Sequence, residues 1–341
     1  MKFFKYTLFP FSLCYWIFTW CRNFCFDNGI LKQTKFAIPI ISVGNITVGG
    51  TGKTPHVQYL VKILDNKNVA SLSRGYKRKS KGFLLANENT SVDELGDEPF
   101  QLHKRFPHLS VAVCEKRVVG VQNLLKLNSN LQTIILDDAF QHRYIKPSFQ
   151  IVLIDYNRPI WNDFVFPVGF LREGKYAIKR ADVVIITKCP NDILEKEAEF
   201  WKNKLKLATT QKLFFSTMQY GQIYDNITKQ NIDNQKFITE NNICLVTGIA
   251  QPQPLIHYLM QYNNTISTEI FPDHYSYTEK DAVRLQKINK NKLLLTTEKD
   301  AYKLSKMLPD VKLFVIPIMP QFLFDKNEEF NKLIRNIVDK N

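Results

Sequence analysis

The chain has 341 residues, 45% of them hydrophobic and 23% charged. That balance excludes a disordered or fibrous chain and allows one large domain, or two of moderate size, with a sizeable core. With 46 basic and 32 acidic side chains the formal net charge is +14, an excess that favours an anionic partner: nucleic acid, an acidic membrane leaflet or a phosphorylated substrate.

The chain begins with an uncharged run, Tyr6 to Cys21, flanked by Lys2, Lys5 and Arg22. It carries Phe9, Phe11, Tyr15, Trp16, Phe18 and Trp20, is shorter than the roughly 20 residues of a bilayer span, and contains Pro10. A secretory signal is a second reading, but no A-x-A-like cleavage site follows. A helix lying in the membrane interface fits best, because aromatic rings favour that depth and basic flanks attract anionic head groups.

From residue 38 onward short apolar runs alternate with helical patterns. The strand candidates "IPIISVG", "VASLS", "SVAV", "TIILDD", "QIVLID" and "DVVIIT" mostly lack in-out alternation, as strands buried on both faces do. The helical segments are His56–Leu64, with Val57, Leu60, Val61 and Leu64 on one face, and a stretch near Arg117–Leu127. This is the rhythm of a doubly wound α/β domain with a mainly parallel sheet.

Between the first strand and the first helix stands "NITVGGTGKTP", residues 45–55. A phosphate loop needs this placement: glycines turn backbone N–H groups toward phosphate oxygens, Lys53 reaches the β and γ phosphates, and the Thr54 hydroxyl is offered to magnesium. Residues Thr47, Val48, Gly49, Gly50, Thr51, Gly52, Lys53 and Thr54 form the nucleotide segment, although the consensus G-x-x-x-x-G-K-[ST] asks for glycine where Thr47 stands. Partitioning-type ATPases carry a lysine at the place of Val48, and the guanine-reading [NT]KxD pattern fails in "TKCPND" because Pro190 replaces the aspartate.

Further along, "GDEP" supplies Asp97 and Glu98 at a helix start, and Asp137-Asp138 end a strand where acidic residues near a phosphate loop commonly hold Mg²⁺. Around residues 220–235 the text turns polar and reads as a linker or small hairpin. After it "NICLVTG", "KLLLTT" and "KLFVIPI" resume the α/β rhythm, and the chain closes on a helix with Phe330, Leu333, Ile334 and Ile337 on one side. His274 lies in "FPDHYSYTEKD", just before a helix start capped by Ser276 and Glu279. Six cysteines, at 14, 21, 25, 114, 189 and 244, form no CxxC pair, which suits a reducing, cytoplasmic compartment. No RNA-binding motif appears, and the aromatics cluster at the N-terminus instead of interleaving with basic patches, so nucleic acid is set aside as a partner.

Taken in order, "SVGNITVGGTGKTP", "LSRGYKR", "LGDEP", "LDDAFQHR", "FPVGFLRE", "RADVVIITK", "FPDHYSY" and "TTEKDAYKL" closely resemble the tetraacyldisaccharide 4′-kinase family from the aromatic N-terminus to about residue 305. In that family the first consensus glycine is also missing. The resemblance implies transfer of the ATP γ-phosphate to the 4′-hydroxyl of tetraacyldisaccharide 1-phosphate, giving lipid IVA at the cytoplasmic face of the inner membrane. It implies ATP and Mg²⁺ as cofactors, a glycolipid substrate, an anionic membrane surface and no protein partner. It also implies an N-terminal membrane helix (1–30), a P-loop domain (31–218), a linker (219–235) and a smaller α/β domain (236–341). By motif, Lys53 resembles the phosphate-stabilising lysine, Thr54 the magnesium ligand, Asp97 the base on the sugar hydroxyl and His274 its partner. Glu98, Asp137 and Asp138 resemble the acidic residues around Mg²⁺, while Ser73, Arg74, Tyr76 and Arg172 are placed near substrate or phosphates. Ala139 departs from the glycine often found there. The alternative from another class is a membrane-associated P-loop ATPase switch that binds a protein partner and phosphorylates no lipid.

Overall fold

The computed structural model describes residues 2–273 and 275–339, and the side chains of Lys2, Phe3, Phe4, Lys5 and Tyr6 lie outside the described residues. The chain forms two compact units: Met1–Met218 with Pro320–Asn341, and Gln219–Met319.

In the first unit the elements are α1 (Lys2–Asp27), β1 (Ile40–Asn45), α2 (Lys53–Ile63), β2 (Val69–Ser73), β3 (Leu84–Leu85), α3 (Val92–Leu95), α4 (Asp97–Arg105), β4 (Ser110–Val113), α5 (Arg117–Leu127), β5 (Thr133–Asp137), β6 (Phe149–Asp155), β7 (Val183–Thr187), α6 (Glu195–Leu205) and β8 (Lys212–Tyr220). In the second they are β9 (Ile223–Asp225), β10 (Asn231–Ile232), α7 (Asn234–Glu240), β11 (Ile243–Thr247), α8 (Gln253–Met260), β12 (Ser267–Ile270), α9 (Glu279–Asn289), β13 (Leu293–Thr297), α10 (Glu298–Met307) and β14 (Leu313–Ile316). The chain then returns through β15 (Ile318–Phe322) and α11 (Asn327–Asp339).

The larger sheet has the order β15-β8-β7-β6-β1-β5-β2-β4-β3. Its pairs from β8 to β4 are parallel, and β3 joins antiparallel to β4. Every residue of β1, β2, β5 and β7 is buried, so the expected mainly parallel sheet covered on both faces is what forms. One core cluster joins Val152, Ile154, Val184 and Ile186 to Trp201 and Phe215. Another joins Ile40, Leu72, Ile134 and Leu136 to Val121 and Leu124 of α5. The closing helix packs back onto this unit: Phe330 stacks on Phe322 with centroids 4.2 Å apart, and Tyr59 of α2 donates to Asn331 at 3.0 Å.

The smaller sheet runs β10-β9-β14-β13-β11-β12. Its β12, β11, β13 and β14 are parallel, and β9 and β10 add antiparallel. The polar stretch near 220–235 therefore includes a hairpin that belongs to the second unit's sheet, and the structure divides the chain differently from the expected 219–235 linker and 236–341 domain. Residues Pro320–Asn341 rejoin the first unit because the apolar face of α11, Phe330, Ile334 and Val338, is buried there. A second difference lies at α9. Its cap is Thr278, which accepts from the Asp281 N–H while the Asp281 carboxylate accepts from Thr278. The expected Ser276–Glu279 box does not form, because Glu279 is the first helical residue and cannot reach back as the third.

Helix α1 holds Pro10 within it. Among the described residues no helix is long and apolar enough to cross a membrane. All six cysteines are free.

Candidate active site

The parallel register sets β1, β5 and β2 side by side, so the segments that leave their carboxyl ends lie together. After β1 comes the glycine loop, after β5 Asp137-Asp138, and after β2 Ser73-Arg74.

The loop turns at Gly49 (φ 98°) and Gly52 (φ 85°), left-handed positions that favour glycine, and Lys53 begins α2 directly after. The missing consensus glycine is explained locally. Thr47 is 1% exposed and bridges antiparallel to Leu171, while Val48 gives its N–H to the Phe170 carbonyl at 2.7 Å. Thr47 and Val48 thus tether the loop to residues 170–171, and the Val48 N–H is engaged there. The left-handed positions of the turn are Gly49 and Gly52, beyond that tether.

Other groups brace the same loop. Asn45 donates to the Thr51 hydroxyl at 2.9 Å, and the Thr187 hydroxyl donates to the Thr51 carbonyl at 2.9 Å. Arg158 reaches the Val48 carbonyl at 3.2 Å, and Lys188 reaches that of Gly50. Both cations also face Asp155, which is fully buried, at 3.5 and 2.9 Å. Sequence reasoning assigned nothing to Asp155, Arg158 or Lys188. The signal was the "TK" pair, dismissed because the aspartate of a guanine reader was absent, although its threonine and lysine still hold the loop.

At the end of β5 the two aspartates differ. Asp138 adopts φ 48° and lies 3.7 Å from Lys53 and 2.9 Å from Arg172. Burial alone would raise its pKa, but Lys53 and Arg172 hold it below the ordinary carboxylate value. Asp137 is buried, and its Oδ1 has no hydrogen-bond partner among the described residues. Burial first, then the charges of Glu98 and Asp138, push it up to about 7.

Asp97 and Glu98 open α4, and Gly96 (φ 92°) joins them to α3, which is capped by a Ser91–Glu94 box. The backbone of Gly96 lies against the Tyr76 carbonyl, so the 73–78 loop and the start of α4 are one packed piece. Ser73 is buried and its hydroxyl accepts from the Gly75 N–H at 3.3 Å, whereas Tyr76 is 65% exposed. Arg172 donates to Asp138 at 2.9 Å, and its backbone N–H donates to the Ile46 carbonyl at 2.8 Å. His274, expected as the partner of Asp97, lies outside the described residues, in the segment carried by the second unit.

One further group was missed. Arg117 is 3% exposed at the start of α5. Burial lowers its pKa to about 10, opposed by Asp137 and Asp138. With Arg22 and Arg74 it also contributes to holding His142 down at about 4, although burial is the largest cause there. The clue was a basic "EKR" run directly after the strand "SVAV".

A hydroxyl-and-carboxylate set suits Mg²⁺, which takes one or two protein carboxylates and completes its shell with water and phosphate oxygens. Among the described residues no three His, Cys, Asp or Glu side chains form a metal cage by themselves. The unpartnered Asp137 Oδ1 and the Thr54 hydroxyl fit that more open mode of binding.

A left-handed glycine turn leading into Lys53 at a helix start, on the central strand of a parallel sheet with acidic residues on the neighbouring strand, defines a P-loop nucleotide site of the kind used in phosphoryl transfer. The family model for tetraacyldisaccharide-1-P 4′-kinase matches residues 4–339, and the chain belongs to that family. It is 43% identical over 347 residues to the tetraacyldisaccharide 4′-kinase of Flavobacterium psychrophilum, covering 99% of this chain and 98% of the relative. To the protein of that name from Phocaeicola vulgatus it is 44% identical over 351 residues, covering 98% and 95%. The crystal structure of the "apo" form of LpxK from Aquifex aeolicus in complex with ATP superposes with a TM-score of 0.77 at 30% identity, covering 98% of this chain and 99% of that one.

Proposed function

We propose that this protein transfers the γ-phosphate of ATP to the 4′-hydroxyl of tetraacyldisaccharide 1-phosphate, yielding lipid IVA. The observation that carries the reading is the Lys53–Asp138–Arg172 cluster beside the glycine turn, in a chain of this family. Phosphoryl transfer asks a protein chiefly for positioning and for positive charge where negative charge develops. Residues 49–54 cradle the phosphates, and Lys53 and Arg172 meet the charge on the transferred group. Asp138, held ionised by those two cations, keeps them oriented until phosphate arrives. Asp97 accepts the proton of the attacking sugar hydroxyl, with His274 supporting it. Thr54, Asp137 and Glu98 are the groups that would hold Mg²⁺, which when bound neutralises charge on the β and γ phosphates. Ser73, Arg74 and Tyr76 border the acceptor.

A lipid acceptor leaves the bilayer at a cost of about 0.8 kcal/mol per CH₂, so the enzyme works at the membrane surface. Phe9, Phe11, Trp16, Phe18 and Trp20 of α1 are exposed, and so are Phe164, Phe166 and Phe170 of the loop beside it. Edge contacts Phe9–Phe164 and Tyr15–Phe166 join the two sets into one aromatic surface, which supports interfacial docking on an anionic leaflet at the cytoplasmic face. The same helix is tied to the site, since the Tyr15 hydroxyl donates to the Arg172 carbonyl at 2.9 Å.

Purified protein given ATP labelled in the γ-phosphate and the tetraacyl disaccharide should move label into the glycolipid. Label recovered only as free phosphate would point instead to the ATPase-switch alternative.

A further inference from the structure

The carbonyls of the glycine loop follow a pattern that the loop's own motif does not explain. Every one from Val48 to Gly52 accepts a hydrogen bond from a side chain. Arg158 donates to Val48 at 3.2 Å, Asn45 to Gly49 at 3.4 Å, Lys188 to Gly50, Thr187 to Thr51 at 2.9 Å and the His56 ring to Gly52 at 2.7 Å. A trans peptide is planar, so the C=O of one residue and the N–H of the next point in opposite directions. Holding these carbonyls therefore sets the N–H groups of Gly49, Gly50, Thr51, Gly52 and Lys53, each turned away from the side chain that holds its peptide.

The strongest of these holds come from two neighbouring strands. The order β7-β6-β1 brings the ends of β6 and β7 to the loop's side of the sheet, and the register sets Asp155 opposite Thr187. Asp155 ends β6 and is fully buried. Its Oδ2 faces Lys188 at 2.9 Å and Arg158 at 3.5 Å, and its Oδ1 accepts from the Asn157 N–H at 3.0 Å. One carboxylate thus aims two cations at two loop carbonyls. Hydrogen bonds from ionised donors are roughly twice as strong as neutral ones. Lys188 also takes a left-handed backbone, φ 58°, directly after β7. That conformation is costly for a residue other than glycine and persists where the surrounding contacts over-determine it.

We propose that Lys188, Asp155, Arg158 and Thr187 are positioning residues for ATP: they draw the loop carbonyls aside so that the amides of residues 49–53 are preset for the triphosphate. The proposal rests on the reading that the glycine loop binds the phosphates of ATP. Successive amides can form a concavity that binds anions, and preset donors need no reorganisation when charge arrives. A loop with glycine at 49, 50 and 52 is conformationally permissive by itself. Without its hold, a peptide is free to turn its carbonyl toward phosphate, where like partial charges repel. None of the four residues has to touch the nucleotide, because their effect passes through the backbone.

The test titrates full-length Lys188→Met, Lys188→Arg, Thr187→Val and Thr187→Ser proteins with Mg·ATP by calorimetry, beside steady-state kinetics on ATP and the tetraacyl disaccharide. Lys188→Met should weaken ATP binding by about tenfold or more. Thr187→Val, which keeps the shape and loses the hydroxyl, should weaken it by about three- to tenfold. Affinity should return in Lys188→Arg and Thr187→Ser, and the KM for the disaccharide at saturating ATP should stay at its wild-type value in all four. A merely structural role would lower thermal stability without separating the two substrates. Wild-type ATP affinity in Lys188→Met and Thr187→Val overturns the proposal, as does equal weakening toward both substrates in folded protein. If Lys188→Met does not fold, the Thr187 pair decides by the same titration. Should the wild type bind ATP and phosphorylate no glycolipid, the kinase reading falls, while the titrations still decide whether these residues position the nucleotide.

Discussion

The two sheets of this molecule share a plan and use it differently. Each is largely parallel, and in each the loops that matter leave the carboxyl ends of central strands. In the larger sheet the loop after β1 is left-handed at two glycines and has Lys53, Arg158, Arg172 and Lys188 about it. In the smaller one the corresponding junction is closed by Asp300, which takes up the Gly248 N–H and two hydroxyls. A strand end with free N–H groups and basic neighbours receives phosphate. A strand end satisfied by its own carboxylate presents side chains instead.

The largest test of that contrast is removal of chemistry from the first unit. Asp97→Asn should lower kcat by about 10²–10⁴-fold, the range for a lost general base, with ATP affinity retained. Lys53→Ala should cost about 10²–10³-fold, as for other single charge-stabilising groups, and should weaken ATP binding as well. Calorimetric titration with ATP separates the two. Near-normal turnover in either variant would remove that residue from its assigned role.

A smaller effect is expected in the packing under the loop. His56 of α2 is buried against the Gly52 carbonyl at 2.7 Å and Ser216 at 3.1 Å, and burial lowers its pKa to about 4. A carbonyl can only accept, so Nδ1 carries the proton and Nε2 accepts from Ser216. The unfolded chain takes up a proton near pH 6.5 and the folded one only near 4. Stability from this residue is therefore complete above pH 6.5 and drains away as pH falls toward 4, by at most about 3 kcal/mol. Denaturant midpoints across that window should show a shallower slope in His56→Gln; an unchanged slope would mean another group governs the acid limb.

Much of the first unit was legible because buried parallel strands have a plain signature. "IPIISVG", "VASLS" and "DVVIIT" are runs with no polar face, and each is a central strand. Lys53 was legible because a glycine turn before a helix has few other uses. Arg158 and Lys188 were not, because the Val48 and Gly50 carbonyls that they hold lie 110 and 138 residues away in sequence and no local period marks them. The α9 cap was misplaced by two residues for a simpler reason: serine and threonine both cap, and only the backbone decides which of Ser276 and Thr278 is extended at the helix start. The return of residues 320–341 to the first unit was hidden because an amphipathic helix declares that it has a buried face and not what covers it.

The finest test compares two glycines, one from each strand end. Gly52 needs glycine for its backbone: φ is 85°, and the nearest atom a Cβ would meet is the mobile end of Met218 at 2.8 Å. Gly248 needs it for space: a Cβ there would meet Asp300 Oδ1 at 3.0 Å and the Pro272 carbonyl at 3.2 Å, with no left-handed backbone to strain. Gly248→Ala must therefore push the carboxylate or the 271–278 segment aside, at about 1–3 kcal/mol. It should leave ATP binding intact, because Gly248 is no part of the glycine turn before Lys53. Gly52→Ala should lose ATP binding together with stability. Loss of nucleotide affinity in Gly248→Ala, measured by titration on protein shown to be folded, would mean that the two strand ends are not divided in function as their chemistry indicates.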